Sequence, residues 1–217
     1  MVFLLAGVAP MALSLFSEEF EKGGIKGLGN LYCKIVGFSA YLTVPIYIFC
    51  IFNSEILINF IYGTSFKEAY LALIIFATFS GIQTALGNNF TIPILYVVQK
   101  RNAAIKTTVE GSILNIVLNF FLIPAIGMLG AVTATGVTMI YMIVRQLKII
   151  SKEMKIAPVF PVMGKCFFYC LLASTLPLIL KIMELDHLII NLILYLTSLI
   201  IIIILVKPFS QLKSIIN

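Results

Sequence analysis

The chain has 217 residues, of which 61% are hydrophobic and only 11% charged, and its mean hydropathy is +1.10. Soluble domains average about 45–50% apolar and about 25% charged residues, so a soluble fold of this size would leave the excess as adhesive surface patches. The composition excludes a soluble enzyme, a disordered tail and a collagen-like chain, and the net charge of +6 sits in loops between apolar runs, which removes the case for nucleic acid as a partner.

At about 20 residues per helical crossing, the apolar runs divide into predicted spans at residues 1–16, 31–53, 69–98, 107–124, 128–149, 159–182 and 188–206. The expected fold is therefore an all-α, multi-pass membrane bundle of about seven helices. The first run is short, and it lacks the basic start and small-residue cleavage site of a signal peptide. Basic residues alternate between loops. Lys22, Lys26 and Lys34 lie around the first loop, and Lys100, Arg101 and Lys106 around the third. Arg145, Lys148, Lys152, Lys155 and Lys165 surround the fifth, and Lys207 and Lys213 are in the tail. Only Lys67 and Lys181 of the 15 basic residues fall on the other set of loops. The positive-inside rule then places the C-terminus in the cytoplasm and, with an odd number of spans, the N-terminus outside. An outside start on a short span is the expectation for the C-terminal part of a longer protein.

The third span is polar at its middle, from Ser80 to Pro93. Thr84, Asn88 and Thr91 are spaced four and three apart, as one helical stripe, and two glycines and a proline can bend or unwind the helix there. Such breaks are tolerated where they line a cavity or pack on protein. The residues therefore read either as cavity lining or as hydrogen-bonding glue between helices. The fourth span carries a sharper stripe, Thr108, Ser112, Asn115 and Asn119. Glu110 lies one turn inside the basic end of that span. It reads as a carboxylate solvated or paired with Lys106, with ion coupling as the alternative.

Pro124 and Gly127 form a tight hairpin into the fifth span, where Gly130, Ala134 and Thr138 make a small-residue face for close helix approach. Lys34 and Lys165 sit a few residues inside the basic ends of their spans. They read as snorkelling side chains or as contacts to an entering phosphate. The stretch from Asn53 to Glu68 looks like a helix extension at the opposite interface, ended by Gly63. Metal and cofactor sites are not expected. There is one His, the four cysteines (Cys33, Cys50, Cys166 and Cys170) make no CxxC, and no phosphate loop, HExxH or GxSxG occurs. The adjacent Asp186 and His187 read as a solvated turn.

Four segments in order resemble a known family. Val8 to Ser14 is similar to a Pro-x-x-Ser helix end. Ile61-Tyr62-Gly63 through Ala69 resembles a Tyr-Gly segment before a long helix. Asn115 to Pro124 resembles an "N..LN..LIP" helix, and Gly127 to Thr135 the "G..GAA.AT" start of the next. Together they resemble the C-terminal part of the polysaccharide, O-antigen-type oligosaccharide-lipid flippases of the MOP exporter superfamily. The resemblance covers residues 1–150; residues 151–217, with two further spans and a short cytoplasmic tail, carry no signature.

The resemblance implies two helical bundles around a central cavity, with this chain supplying the later one. It also implies a transporter, not an enzyme, that moves polyprenyl-diphosphate-linked oligosaccharide across the cytoplasmic membrane for cell-surface polysaccharide and lipopolysaccharide synthesis. Implied partners are the bilayer, the lipid-linked oligosaccharide and other polysaccharide-assembly membrane proteins. The polar stripes would line the sugar path, and Lys34 and Lys165 would meet the diphosphate. Two other readings compete. A cation-coupled multidrug-type exporter of the same superfamily would need Glu110 as its coupling group. A membrane-embedded enzyme of envelope polymer synthesis would need catalytic loop residues.

Overall fold

The structure is a computed structural model that describes residues 8–156, 164, 167–169, 171–174 and 188–206. Every regular element among them is helical. The predicted span 159–182 therefore lies largely outside the described residues, as do residues 1–7 of the first span.

Helix α1 runs from Val8 to Phe52, but Gly24 inside it is non-helical, with φ 59° and ψ −156°. The chain folds back there. The rings of Phe16 and Tyr32 are 6.4 Å apart, whereas a straight helix rising about 1.5 Å per residue would separate them by about 24 Å. Positive φ is open to glycine without steric cost, so a single residue makes a turn between arm 8–23 and arm 25–52. Sequence reading expected a polar loop over residues 17–30. The structure corrects this, because Glu, Phe, Lys and Leu in that stretch are ordinary helix formers. Hydropathy marks where the bilayer ends and says little about where the helix ends.

Helix α2 (Ser54–Tyr62) stops at Gly63, φ 82°, and a 3-10 turn (Thr64–Ala69) leads into α3 (Tyr70–Ala85). Leu86 and Gly87 break the third apolar run, and α4 (Asn88–Val97) completes it. Helices α5 (Arg101–Ile126) and α6 (Met128–Glu153) form the hairpin turning at Gly127, and both continue past the predicted limits 107 and 149 into charged residues. The last described helix is α7 (Leu188–Val206). Four stretches among the described residues are long and apolar enough to cross a membrane: Met11–Phe52, Thr64–Val97, Arg101–Ile126 and Met128–Glu153.

Helices α5 and α6 pack along their length, arm 25–52 packs on α3 and α4, and α3 packs on α6. The main core joins Phe16, Leu28, Tyr32, Val36, Phe90 and Ile94, all buried. The small face of α6 acts as expected from its sequence. A Cβ added at Gly130 would lie 2.2 Å from the Leu122 carbonyl oxygen of α5, so the two backbones meet where only glycine fits.

Candidate functional site

The break between α3 and α4 is built by one glycine. Gly87 has φ 79° and ψ 31°, and a Cβ there would sit 2.5 Å from Val36 Cγ2. The broken backbone thus packs on arm 25–52, and the Tyr32 hydroxyl donates to the Leu86 carbonyl at 3.5 Å. The break divides the predicted stripe, leaving Thr84 at the end of α3 and Asn88 and Thr91 on α4. Thr84 and Thr91 are buried and Asn88 is half-buried.

Thr91 belongs to a relay that links three helices. Its hydroxyl donates to Gln146 Oε1 of α6, Gln146 Nε2 donates to Thr107 Oγ1 of α5 at 3.5 Å, and Thr107 donates to the Ala104 carbonyl at 2.9 Å. All three side chains are at most 2% exposed. Gln146 and Thr107 were not singled out from sequence. The signal was present: Gln146 continues the four-residue steps of Gly130, Ala134 and Thr138.

On α5, Asn119 Nδ2 donates to Asn115 Oδ1 at 2.9 Å, and Asn115 Nδ2 donates to Thr138 Oγ1 of α6 at 3.5 Å. Asn119 Oδ1 is buried and has no hydrogen-bond partner among the described residues. Thr108 and Ser112 are exposed, and their hydroxyls donate to the carbonyls of Ala104 and Thr108 in their own helix. The structure therefore brings Asn115 and Asn119 together against α6, with Thr108 and Ser112 on open surface nearer the basic end.

Glu110 is held across the α5–α6 pair. Tyr141 donates to its Oε2 at 3.0 Å, and Arg145 Nη2 lies 3.2 Å from the same oxygen. The partner from sequence reading was Lys106, on its own helix; the structure adds two partners from α6. Lys34 is exposed on arm 25–52, and Lys165 lies outside the described residues.

Three basic loops gather at one end. Lys100 Nζ pairs with Glu153 at 3.1 Å, which joins the α4–α5 turn to the end of α6. Gly29 packs against Met154 and the Lys155 carbonyl, which joins the Gly24 turn to the same place. An apolar cavity of about 510 Å³ opens between arm 25–52 and α3, with Tyr47, Ile48, Ala77, Gly81 and Phe167 in its wall.

Long apolar helices, one run of them broken on a packed glycine, together with buried side-chain hydrogen bonds between helices, define a multi-pass membrane protein. No protein-family model matches the chain, and no curated protein matches it in sequence. Among solved structures, the lipid II flippase MurJ in its inward closed conformation shares the fold. The TM-score is 0.70 at 16% identity, over 96% of this chain and 46% of the MurJ chain. The chain thus shares its fold with part of MurJ and spans about half the length of that protein.

Proposed function

We propose that the chain forms one lobe of a flippase for a lipid-linked oligosaccharide carried on a polyprenyl diphosphate, serving cell-surface polysaccharide assembly. The carrying observation is the fold match to a flippase over nearly the whole of this chain and less than half of the other. The oligosaccharide is suggested by the four segments resembling polysaccharide flippases, which also favour the later lobe of such a protein. In this reading Asn88, Asn115, Asn119, Thr108 and Ser112 line the sugar path, and Thr84 and Thr91 support it from behind. Amides and hydroxyls exchange hydrogen bonds with sugar hydroxyls at little net cost. The apolar cavity beside α3 suits a lipid tail. Lys34 and Lys165 meet the diphosphate, where an ammonium group offsets its charge.

The multidrug-type alternative depends on a free intramembrane carboxylate, and Glu110 is engaged by Tyr141 and Arg145. The test is complementation of a strain lacking its own flippase, scored by polymer at the cell surface. A longer protein containing this chain should rescue, and Ala at Asn88, Asn115 and Asn119 together should reduce rescue at least tenfold. Full rescue by that triple variant would remove these residues from the path. Rescue of drug export in place of polymer would overturn the substrate class.

A further inference from the structure

We propose that a pocket at the basic end, between the Gly24 turn and the end of α6, binds the phosphate headgroup of an anionic membrane phospholipid. The pocket has a volume of about 420 Å³, and its rim carries Lys26, Lys152, Lys155 and Asn30. Gly29 and Met154 are its buried floor.

Its electrostatics are one-sided. None of Lys26, Lys152 and Lys155 has a carboxylate within 4.0 Å among the described residues. The one carboxylate of the lining, Glu153, is turned to a fourth cation, Lys100, at 3.1 Å. The hydroxyl of Ser151 already donates to the Lys148 carbonyl, so the pocket offers three ammonium groups and the Asn30 amide to an anion. Three like charges around one concavity repel each other, and a bound phosphate relieves that repulsion.

The site is held in place by the fold. Met154 and Ile156 are buried in the main core, residues 154–155 lie in contact with Gly29 of arm 25–52, and Cys33 Sγ lies 3.9 Å from the Lys155 carbonyl. The lysines therefore converge from two elements fixed to each other, unlike cations scattered on a flexible tail. The choice of a lipid over free phosphate comes from Ile25. It lies on the rim, 41% exposed, beside Lys26, and the pocket is at the end of the apolar stretches. A headgroup phosphate brings glycerol and acyl carbons to cover Ile25, and free phosphate brings none. Basic residues at a membrane surface attract anionic lipid, with an effect of roughly fivefold per side chain.

The proposal stands apart from the transport reading, because its readout is lipid retention. The purified chain in detergent is incubated with phosphatidylglycerol, phosphatidylcholine, inorganic phosphate or pyrophosphate, and bound lipid is counted by native mass spectrometry. Phosphatidylglycerol should be retained and phosphatidylcholine not. The variant Lys26→Gln/Lys152→Gln/Lys155→Gln should lose at least tenfold in phosphatidylglycerol affinity. The charge-matched variant Lys22→Gln/Lys106→Gln/Lys148→Gln should lose less than about twofold. All six side chains are exposed, and unchanged melting temperatures certify that both variants fold. Equal losses in the two variants would show general surface charge and overturn the site. Competition by pyrophosphate or phosphate at concentrations matching the lipid would overturn the lipid assignment.

Discussion

Gln146 and Thr91 form one pair, yet removing either partner should have unequal consequences. In Thr91→Val, a near-isosteric change, Gln146 Oε1 loses its donor in a site where the amide is 2% exposed. A buried acceptor left without a partner costs about 1–3 kcal/mol. In Gln146→Leu, also nearly volume-conserving, no group is orphaned. Thr91 turns its hydroxyl to the Asn88 carbonyl, 3.0 Å away, and Thr107 keeps its bond to the Ala104 carbonyl. What is lost is two interhelical side-chain bonds, one of them at 3.5 Å. Such bonds average about 0.6 kcal/mol each in a membrane protein, so the two together cost about 1.2 kcal/mol, towards the low end of the range for the orphaned acceptor. The double variant leaves two apolar side chains facing each other and should be no less stable than Gln146→Leu alone. Reversible unfolding in mixed micelles, monitored by circular dichroism, gives all three differences. If Gln146→Leu proves the more damaging single change, or if the two changes add, the relay does not run from Thr91 through Gln146 to Thr107.

Other expectations are simpler to state. Gly130→Ala should destabilise the chain by about 1–3 kcal/mol, since its Cβ meets α5 backbone. Gly111→Ala should cost less, because the 2.4 Å clash there is with Met142 Cγ on a flexible side chain; thermal melting compares the two. Glu110→Gln should keep the Tyr141 hydrogen bond and lose an ion pair worth about 0–1 kcal/mol; under the proposed function, it should leave polymer export by the longer protein within about threefold of the parent. A collapse of export in that variant, together with loss of its dependence on the ion gradient, would restore the coupling reading. In intact cells, on a cysteine-free background, Lys67→Cys should react with an impermeant thiol reagent and Lys152→Cys should not; the reverse pattern would invert the orientation assigned from basic residues.

Much of the helical architecture could be read directly, because long apolar runs report the segments that cross a bilayer. The break at Gly87 was legible from two glycines and a proline among polar residues, and the close α5–α6 approach from the four-residue spacing of Gly130, Ala134 and Thr138. Helix ends were not legible, since Arg101 to Lys106 and Gln146 to Glu153 are helical but polar. The turn at Gly24 was hidden in a stretch that looked like a loop. Lateral partners were the least accessible. Asn53 and Asn191 are both buried and bond at 3.0 Å across 138 positions of sequence, and no periodicity within one helix predicts a contact of that range. Thr91 shows the same limit. Its stripe was visible, but its commitment to Gln146 depended on which face of α6 arrived opposite.

The distribution of these bonds bears on how the chain would move if it is the lobe proposed above. Alternating access in two-lobed transporters rocks one bundle against another around a site between them, which requires strong directional contacts inside each bundle and weak non-directional ones across its moving face. Inside this chain the directional contacts are plentiful. The relay ties α4, α5 and α6 together, Lys100–Glu153 ties the α4–α5 turn to α6, and Asn191 and Tyr195 tie α7 to arm 25–52 near Asn53 and Pro45. The outer face of α5 is the opposite case. Ile113, Ile116 and Phe120 are more than half exposed there and can form only dispersion contacts, whose energy changes little as one apolar surface slides over another. A surface of that kind suits a partner bundle or acyl chains that shift past it, whereas the interior is cross-braced by hydrogen bonds and an ion pair. That contrast follows from the positions of the polar side chains alone, and it does not depend on the function proposed for the chain.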